Sequence, residues 1–370
     1  MQIALKWAAS KTIEMEKAFI KNLTIGAAEE LFESMGEKPY RARQLFNWLF
    51  EKNAASFDDM SNFSKELRGA LDERFELTAL ALEDRVLSKL DGTEKFLFRT
   101  RDGHFIESVL IRRDGTDEGR LTVCVSSQVG CPMGCGFCQT GRIGFRRNLE
   151  PAEILDQLCL VRRLSGVRNN NVVFMGMGEP FLNYENVITA ADIMNYSYGF
   201  HLSVRKITIS TCGILPAIER FIDEKRPYNL AISLNDTDPV KRARYMPVEK
   251  KYPIETVASL LEKKFPVSRN RLTLEYIMRR DNISPEDARR MKRMFRHGWI
   301  KLNLIPLNRG DHGMDLPTDE EMDRFIKDLE VMNVPVSVRK SSGMDIDGAC
   351  GQLSGRRYHA AGRTHRGGRA

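Results

Sequence analysis

From residue 121 onward, short β-branched runs alternate with stretches long enough to form a helix. The runs are LTVCVS, NVVFMG (171–176), KITIST (206–211), NLAISLN (229–235), RLTLEYIM (271–278) and KLNLIPLN (301–308). VPVSVRKS (334–341) is a candidate seventh. Between them lie PAEILDQLCLVRRL, ENVITAADIM, ILPAIERFIDE, IETVASLLEKKF, SPEDARRMKRMF and DEEMDRFIKDLEVM. Such alternation implies a parallel sheet with helical crossovers, because parallel neighbours cannot be joined by a tight turn. Six units without a Gly-x-Gly-x-x-Gly turn point to an open, partial barrel rather than a dinucleotide fold. The expected fold class is therefore α/β.

The rest of the chain differs. Residues 1–80 read as a small helical domain: Leu67, Leu71 and Phe75 recur every four residues, and PYRARQLFNWLFEKN sets Leu45, Phe46, Trp48 and Leu49 beside Arg41 and Arg43. Residues 81–120 read as an extended β segment containing KFLFRT and HFIESVLIRR. The barrel is expected over 121–354. The tail, 355–370, has five arginines and no acid and reads as disordered. No run of eighteen apolar residues occurs, so no membrane span or membrane partner is expected. The scattered charges near the N-terminus do not resemble a signal peptide, and the cytoplasm is the expected location. The net charge of +7 is compatible with nucleic acid but does not require it.

Seven cysteines occur, at 124, 131, 135, 138, 159, 212 and 350. An odd number in a long chain of this kind argues against a disulfide scaffold. Cys131, Cys135 and Cys138 have the spacing C-x3-C-x2-C in CPMGCGFC. A four-iron, four-sulfur cluster normally takes four thiolates, so three leave one iron open. The alternative is a zinc site completed by a remote Cys or His.

The spacing, with Phe137 just before the last cysteine, resembles the signature of radical S-adenosylmethionine (SAM) enzymes. VCVSSQVGCPMGCGFCQTGRIGFRRNL, FMGMGEP, ISTCGILP, AISLN, LNLIPLN and DIDGACGQL, in that order, resemble the RlmN/Cfr family of RNA adenine methyltransferases over about residues 90–354. GEKPYRARQLFNWLF is similar to that family's accessory RNA-binding domain. The resemblance implies a partial (β/α)6 radical SAM barrel, with a 4Fe-4S cluster on Cys131, Cys135 and Cys138 and SAM at its open iron. Gly178 and Glu179 of the GEP element would contact the SAM amino group. Ser210, Ser233, Leu234, Asn235 and Asn308 would line its ribose, carboxylate and adenine. Many relatives have His where this chain has Asn235.

The resemblance also assigns a two-step chemistry. Cys350 would be methylated by one SAM, and a radical from a second SAM would activate that methyl group for addition to an adenine carbon. Cys124 would release the RNA by attacking Cys350 sulfur, leaving a disulfide. Glu107, flanked by Ile106, Val109 and Leu110, would take the ring proton as general base. Cys159 and Cys212 match no catalytic role and read as structural thiols. The implied substrate is 23S ribosomal RNA at the peptidyl-transferase centre, with some tRNAs, and the implied product is 2-methyladenosine. Methylation at C8 of the same adenine, as by Cfr, is the neighbouring alternative, and a zinc-bound, non-catalytic RNA-binding protein is the alternative of another class. An electron donor such as flavodoxin and a monomeric state are expected. The helical domain, Arg146, Arg147 and the tail arginines are candidate phosphate contacts.

Overall fold

The computed structural model describes residues 16–112, 117, 119–265, 272–295, 300–308, 313–331, 335–339 and 341–355. The N-terminal part opens with β1 (Ala18–Phe19) and holds three helices, α1 (Ile25–Ser34), α2 (Tyr40–Phe46) and α3 (Lys65–Arg74). Short polar side chains start two of them. Thr24 accepts the Ala27 N–H at 3.2 Å, and Ser64 accepts the Leu67 N–H at 3.1 Å. Phe32, Leu45, Leu49, Leu67 and Leu71 form the core between them. Phe75, expected on the α3 face, instead caps that helix in extended geometry and begins β2 (Phe75–Glu76), which pairs parallel with β1.

Four strands follow: β3 (Leu80–Leu87), β4 (Glu94–Thr100), β5 (Phe105–Arg112) and β6 (Leu121–Cys124). They pair as an antiparallel meander. A small hairpin of β7 (Gln128–Gly130) and β8 (Phe145–Asn148) then brackets the cysteine loop and the short α4 (Gln139–Ile143). The strand–helix series runs α5 (Pro151–Ser165), β9 (Asn171–Phe174), α6 (Tyr184–Asn195), β10 (Ile207–Thr211), α7 (Leu215–Asp223) and β11 (Asn229–Ser233). It continues through α8 (Pro239–Tyr245), α9 (Ile254–Lys264), β12 (Leu272–Met278), α10 (Pro285–Met294), β13 (Lys301–Pro306), α11 (Asp319–Val331) and β14 (Val336–Val338).

One ten-stranded sheet results, in the order β14-β13-β12-β11-β10-β9-β6-β5-β4-β3. From β6 through β9 to β14 every pairing is parallel. The expected partial barrel therefore forms, and the candidate seventh run supplies its short edge strand. β6 and β9 are buried along their whole length, as helix-covered parallel strands must be.

Helix α5 joins the two parts. Its Glu150–Glu153 capping box and Pro151 fix its start, and Gly166 in left-handed geometry ends it. On the sheet side, Gln157 accepts the Ser108 hydroxyl and the Ser126 N–H, both at 2.7 Å. On the other, buried Asp156 pairs with Lys21 and accepts the Ala79 N–H, while Asn53 donates to the Cys159 carbonyl at 2.8 Å. Burial works against the Lys21 charge, but Asp156 outweighs it and raises the amine above its ordinary value. Among the described residues no helix is long and apolar enough to cross a membrane.

Candidate active site

The three-thiol loop leaves β7 and is held by its backbone. The Cys131 N–H donates to Gly144 O at 3.1 Å, Cys138 to Cys135 O at 3.0 Å, and Gly136 to Tyr245 O at 2.8 Å. All three cysteines are half-buried and reduced. Burial pushes the Cys131 thiol up to about 12, and burial with the charges of Cys138 and Cys131 raises Cys135. Thiols this reluctant to ionise in water are stabilised as thiolates by a bound metal, which displaces their protons. Among the described residues no three Cys, His, Asp or Glu side chains are placed to hold a single metal ion. Among the described residues no fourth protein ligand closes a zinc site around the three thiols. The donor set fits a cluster in which each thiolate binds its own iron.

Cys350 reaches this loop from the far end of the chain. The Gln139 N–H donates to Gly351 O at 2.7 Å, the Thr140 hydroxyl to Leu353 O at 2.7 Å, and the Asn308 amide to Cys350 O at 3.0 Å. Gly351 has φ +82°, and a Cβ there would lie 3.2 Å from Phe137 O, so only glycine lets the two loops meet without strain. Cys350 lines a pocket with Phe137, Asn308 and Ile277, and a second pocket with Cys124, Met175 and Arg339. The two thiols that the resemblance couples therefore share one cavity. Cys124 is buried at the end of β6, and burial first, then the Cys350 charge, pushes it up to about 12.

Glu107 sits mid-strand in β5 and is fully buried. Its Oε2 accepts the N–H groups of Ser354 at 2.6 Å and Gly355 at 3.1 Å, so the Cys350 segment lies against it. Its Oε1 is 3.3 Å from Lys95 Nζ but makes no hydrogen bond of good geometry. The register pairs Val109 with Cys124, which puts Glu107 and Cys124 on one face of the sheet.

The other expected positions cluster at the C-terminal ends of the parallel strands, where barrels of this type carry function. Gly178, with φ +105°, follows β9, and a Cβ there would be 2.6 Å from Gln128 Cβ. Glu179 is buried; its Oε1 accepts Phe181 N–H at 3.0 Å and its Oε2 accepts Cys212 N–H at 2.8 Å. Burial raises its carboxyl against those bonds. Ser210 lies in β10, Ser233 ends β11, and Asn308 follows β13. Asn235 has φ +53°, a conformation asparagine tolerates better than most residues. Its Oδ1 accepts Ile277 N–H at 3.0 Å and its Nδ2 faces Met246 Sδ at 3.5 Å, so its side chain is spent on the fold.

Two arginines had no signal in spacing. Arg242 is fully buried, pairs with Glu249, and donates to the carbonyls of Leu234 at 2.9 Å, Cys212 at 2.8 Å and Ser233 at 3.1 Å. It ties together the ends of β10 and β11. Arg339, after β14, faces both Cys124 and Cys350; its place at a strand end was the available clue. Of the candidate phosphate contacts, Arg147 pairs with Asp102 at 2.6 Å and Glu153 at 2.8 Å. Arg41 donates to Gln44 and to Asn62 O, both at 2.9 Å. Arg43 and Arg146 are exposed. The tail arginines lie outside the described residues.

A three-thiol loop at the C-terminal ends of a parallel strand–helix sheet defines a radical SAM enzyme. The radical SAM superfamily profile matches residues 125–294, and that of the ribosomal RNA large subunit methyltransferase N-terminal domain matches residues 20–77. The dual-specificity RNA methyltransferase RlmN of Geotalea uraniireducens is 44% identical over 92% of this chain and 98% of its own length. That of Geobacter sulfurreducens is 42% identical over 91% and 92%. The crystal structure of a radical SAM methyltransferase from Sphaerobacter thermophilus superposes with a TM-score of 0.84 at 36% identity, covering 92% of this chain and all of that one. The chain belongs to the RlmN family of radical SAM methyltransferases, whose cofactors are a 4Fe-4S cluster and SAM.

Proposed function

We propose that the chain makes 2-methyladenosine in 23S ribosomal RNA, and in some tRNAs, through an S-methylcysteine intermediate. The observation that carries this reading is the shared pocket of Cys124 and Cys350 beside the three-thiol loop. Cys131, Cys135 and Cys138 would hold the cluster, which together with SAM would supply the radical chemistry that takes hydrogen from a methyl group. The Cys350 thiolate accepts a methyl group and later holds the adenine through it. Cys124 then attacks Cys350 sulfur: a disulfide forms, the sulfur–carbon bond to the RNA breaks, and its electron pair stays on the carbon side, which takes a proton to become the methyl group. Glu107 takes the ring proton on Oε1, the oxygen not engaged by Ser354 and Gly355. The adenine leaves its stack to reach so enclosed a pocket.

Gly178, Glu179, Ser210, Ser233, Leu234, Asn235 and Asn308 line SAM in this reading. Glu179 keeps lone pairs for the SAM ammonium beyond its two backbone bonds. Asn235 contributes shape rather than a side-chain hydrogen bond. Residues 1–80 act as the RNA-binding accessory domain, 81–120 as its link, and 121–354 as the catalytic barrel. A one-electron donor such as flavodoxin serves the monomeric enzyme.

The test is mass spectrometry of nucleosides. Protein reconstituted without air receives methyl-labelled SAM, a reductant and unmodified 23S RNA. 2-Methyladenosine is the expected product. 8-Methyladenosine would assign the C8 reaction instead, and 5′-deoxyadenosine without methylated RNA would remove the substrate assignment.

A further inference from the structure

We infer that Arg339 and Ser341 form an anion-stabilising wall of the thiol pocket, and that this wall favours the thiolate of Cys350 and of Cys124 when each acts as nucleophile. The inference rests on the roles proposed above for those two cysteines.

Arg339 and Ser341 line the pocket together with Cys124 and Cys350. The Arg339 N–H donates to Leu304 O at 2.8 Å, which anchors its backbone to β13. Among the described residues its guanidinium has one hydrogen-bond contact, Nη1 to Met175 Sδ at 3.7 Å, and sulfur is a weak acceptor. Among the described residues it makes no ion pair with a carboxylate. The Ser341 hydroxyl is buried and has no hydrogen-bond partner among the described residues. A guanidinium and a hydroxyl on one wall, both short of acceptors, are satisfied by an anion. Within the pocket lining the groups opposite them that can become anionic are the two thiols.

The surrounding charges agree. Cys350 is the strongest influence on Arg339 and raises its guanidinium. Arg339 in turn opposes the burial that pushes Cys124 up. Glu275 of β12 also acts on Arg339, but its Oε2 takes the Asn303 amide at 2.8 Å. Lys95 and Glu107 lie against the backbone of the Cys350 segment, through Asp347 O and the 354–355 amides. Asp91 also bonds to the segment, accepting the Gly343 N–H at 2.9 Å, and Asp345 within it accepts from Ser88 and Lys89.

In the methyl step the Cys350 proton leaves to water. The sulfur lone pair forms the S–CH3 bond while the carbon–sulfonium bond of SAM breaks, and its electron pair stays on the departing sulfur as a neutral thioether. Anion and cation are both consumed, so the wall acts by populating the thiolate rather than by easing the transfer itself.

The test uses protein reconstituted anaerobically with iron and sulfide in the absence of SAM. It is pulsed with iodoacetamide from neutral to alkaline pH, and alkylation is read at Cys350 and Cys124 by peptide mass spectrometry. Arg339→Gln should slow Cys350 alkylation about tenfold at neutral pH and move its midpoint up by about one pH unit. Arg339→Lys, which keeps the charge, should stay near the wild-type profile. Superimposable profiles for wild type and Arg339→Gln overturn the inference. If Arg339→Gln does not fold, Ser341→Ala decides: an upward midpoint supports the wall and an unchanged one removes it. Adding SAM to the wild type and weighing Cys350 for a methyl group tests the acceptor role separately. A displaced alkylation profile without that methyl would leave the wall standing and remove the acceptor.

Discussion

Cys124 looks unremarkable in sequence, a cysteine among β-branched residues at a strand end. Only its pairing with Cys350 across one pocket gives it a chemical partner. If it is the releasing thiol, Cys124→Ala should stop turnover after RNA becomes attached to Cys350. A protein–RNA species stable to denaturation should then accumulate on a gel, and its absence with intact methyl transfer would take the releasing role from Cys124. Residue identity was legible for the three-thiol loop because its spacing is short and local. Arg242 was not legible, because a buried arginine and a surface one look the same until the chain folds over them, and Arg339 offered only its place at a strand end. Asn235 shows the reverse case: its position was found, but its left-handed backbone and internal hydrogen bonds were not.

At the scale of elements, the strand–helix rhythm gave every parallel strand of the ten-stranded sheet, since helix-covered strands are apolar on both faces and stand out. The meander of β3 to β6 was read as extended, but its joining of the barrel sheet edge to edge depends on long-range pairing that no local pattern records. The docking of the Cys350 segment on the cysteine loop was equally hidden, and it rests on Gly351. Gly351→Ala adds a Cβ at positive φ, a cost of about 1 kcal/mol before the contact with Phe137 O is counted. It should lower RNA methylation several-fold while leaving iron content and cluster absorbance unchanged. Loss of the cluster absorbance as well would mean that the contact supports the loop itself. Arg147 links the β4–β5 turn to the start of α5 through Asp102 and Glu153. Arg147→Ala should cost about 1–2 kcal/mol at neutral pH, discounted because Asp102 is partly exposed. The hydrogen bond from Arg147 is the main cause holding the Asp102 carboxyl well below its ordinary range. Its contribution is therefore present above the ordinary carboxylate pKa of about 3.9 and fades as pH falls below it. Thermal melts at neutral and acidic pH should show the penalty shrinking in acid; a constant penalty would place the effect in packing instead.

For the whole molecule, the decisive contact is Lys21 with Asp156, which lies between the N-terminal part and α5. Lys21→Met leaves a buried carboxylate with the Ala79 N–H as its remaining described partner. A loss of about 3–5 kcal/mol is expected, with a correspondingly lower melting temperature. A loss near zero would show that the pair adds little to the joint between the N-terminal part and α5. Sequence periodicity suggested an accessory unit and a barrel, but not that they share a helix, because α5 reads as an ordinary crossover. Its two faces serve different owners, the sheet through Gln157 and the N-terminal part through Asp156 and the Cys159 carbonyl. Transplanting the N-terminal part between relatives therefore has a practical boundary. A chimera cut at the end of β2 severs this joint, whereas one that carries the matching outer face of α5 keeps donor and acceptor on the same side of the cut.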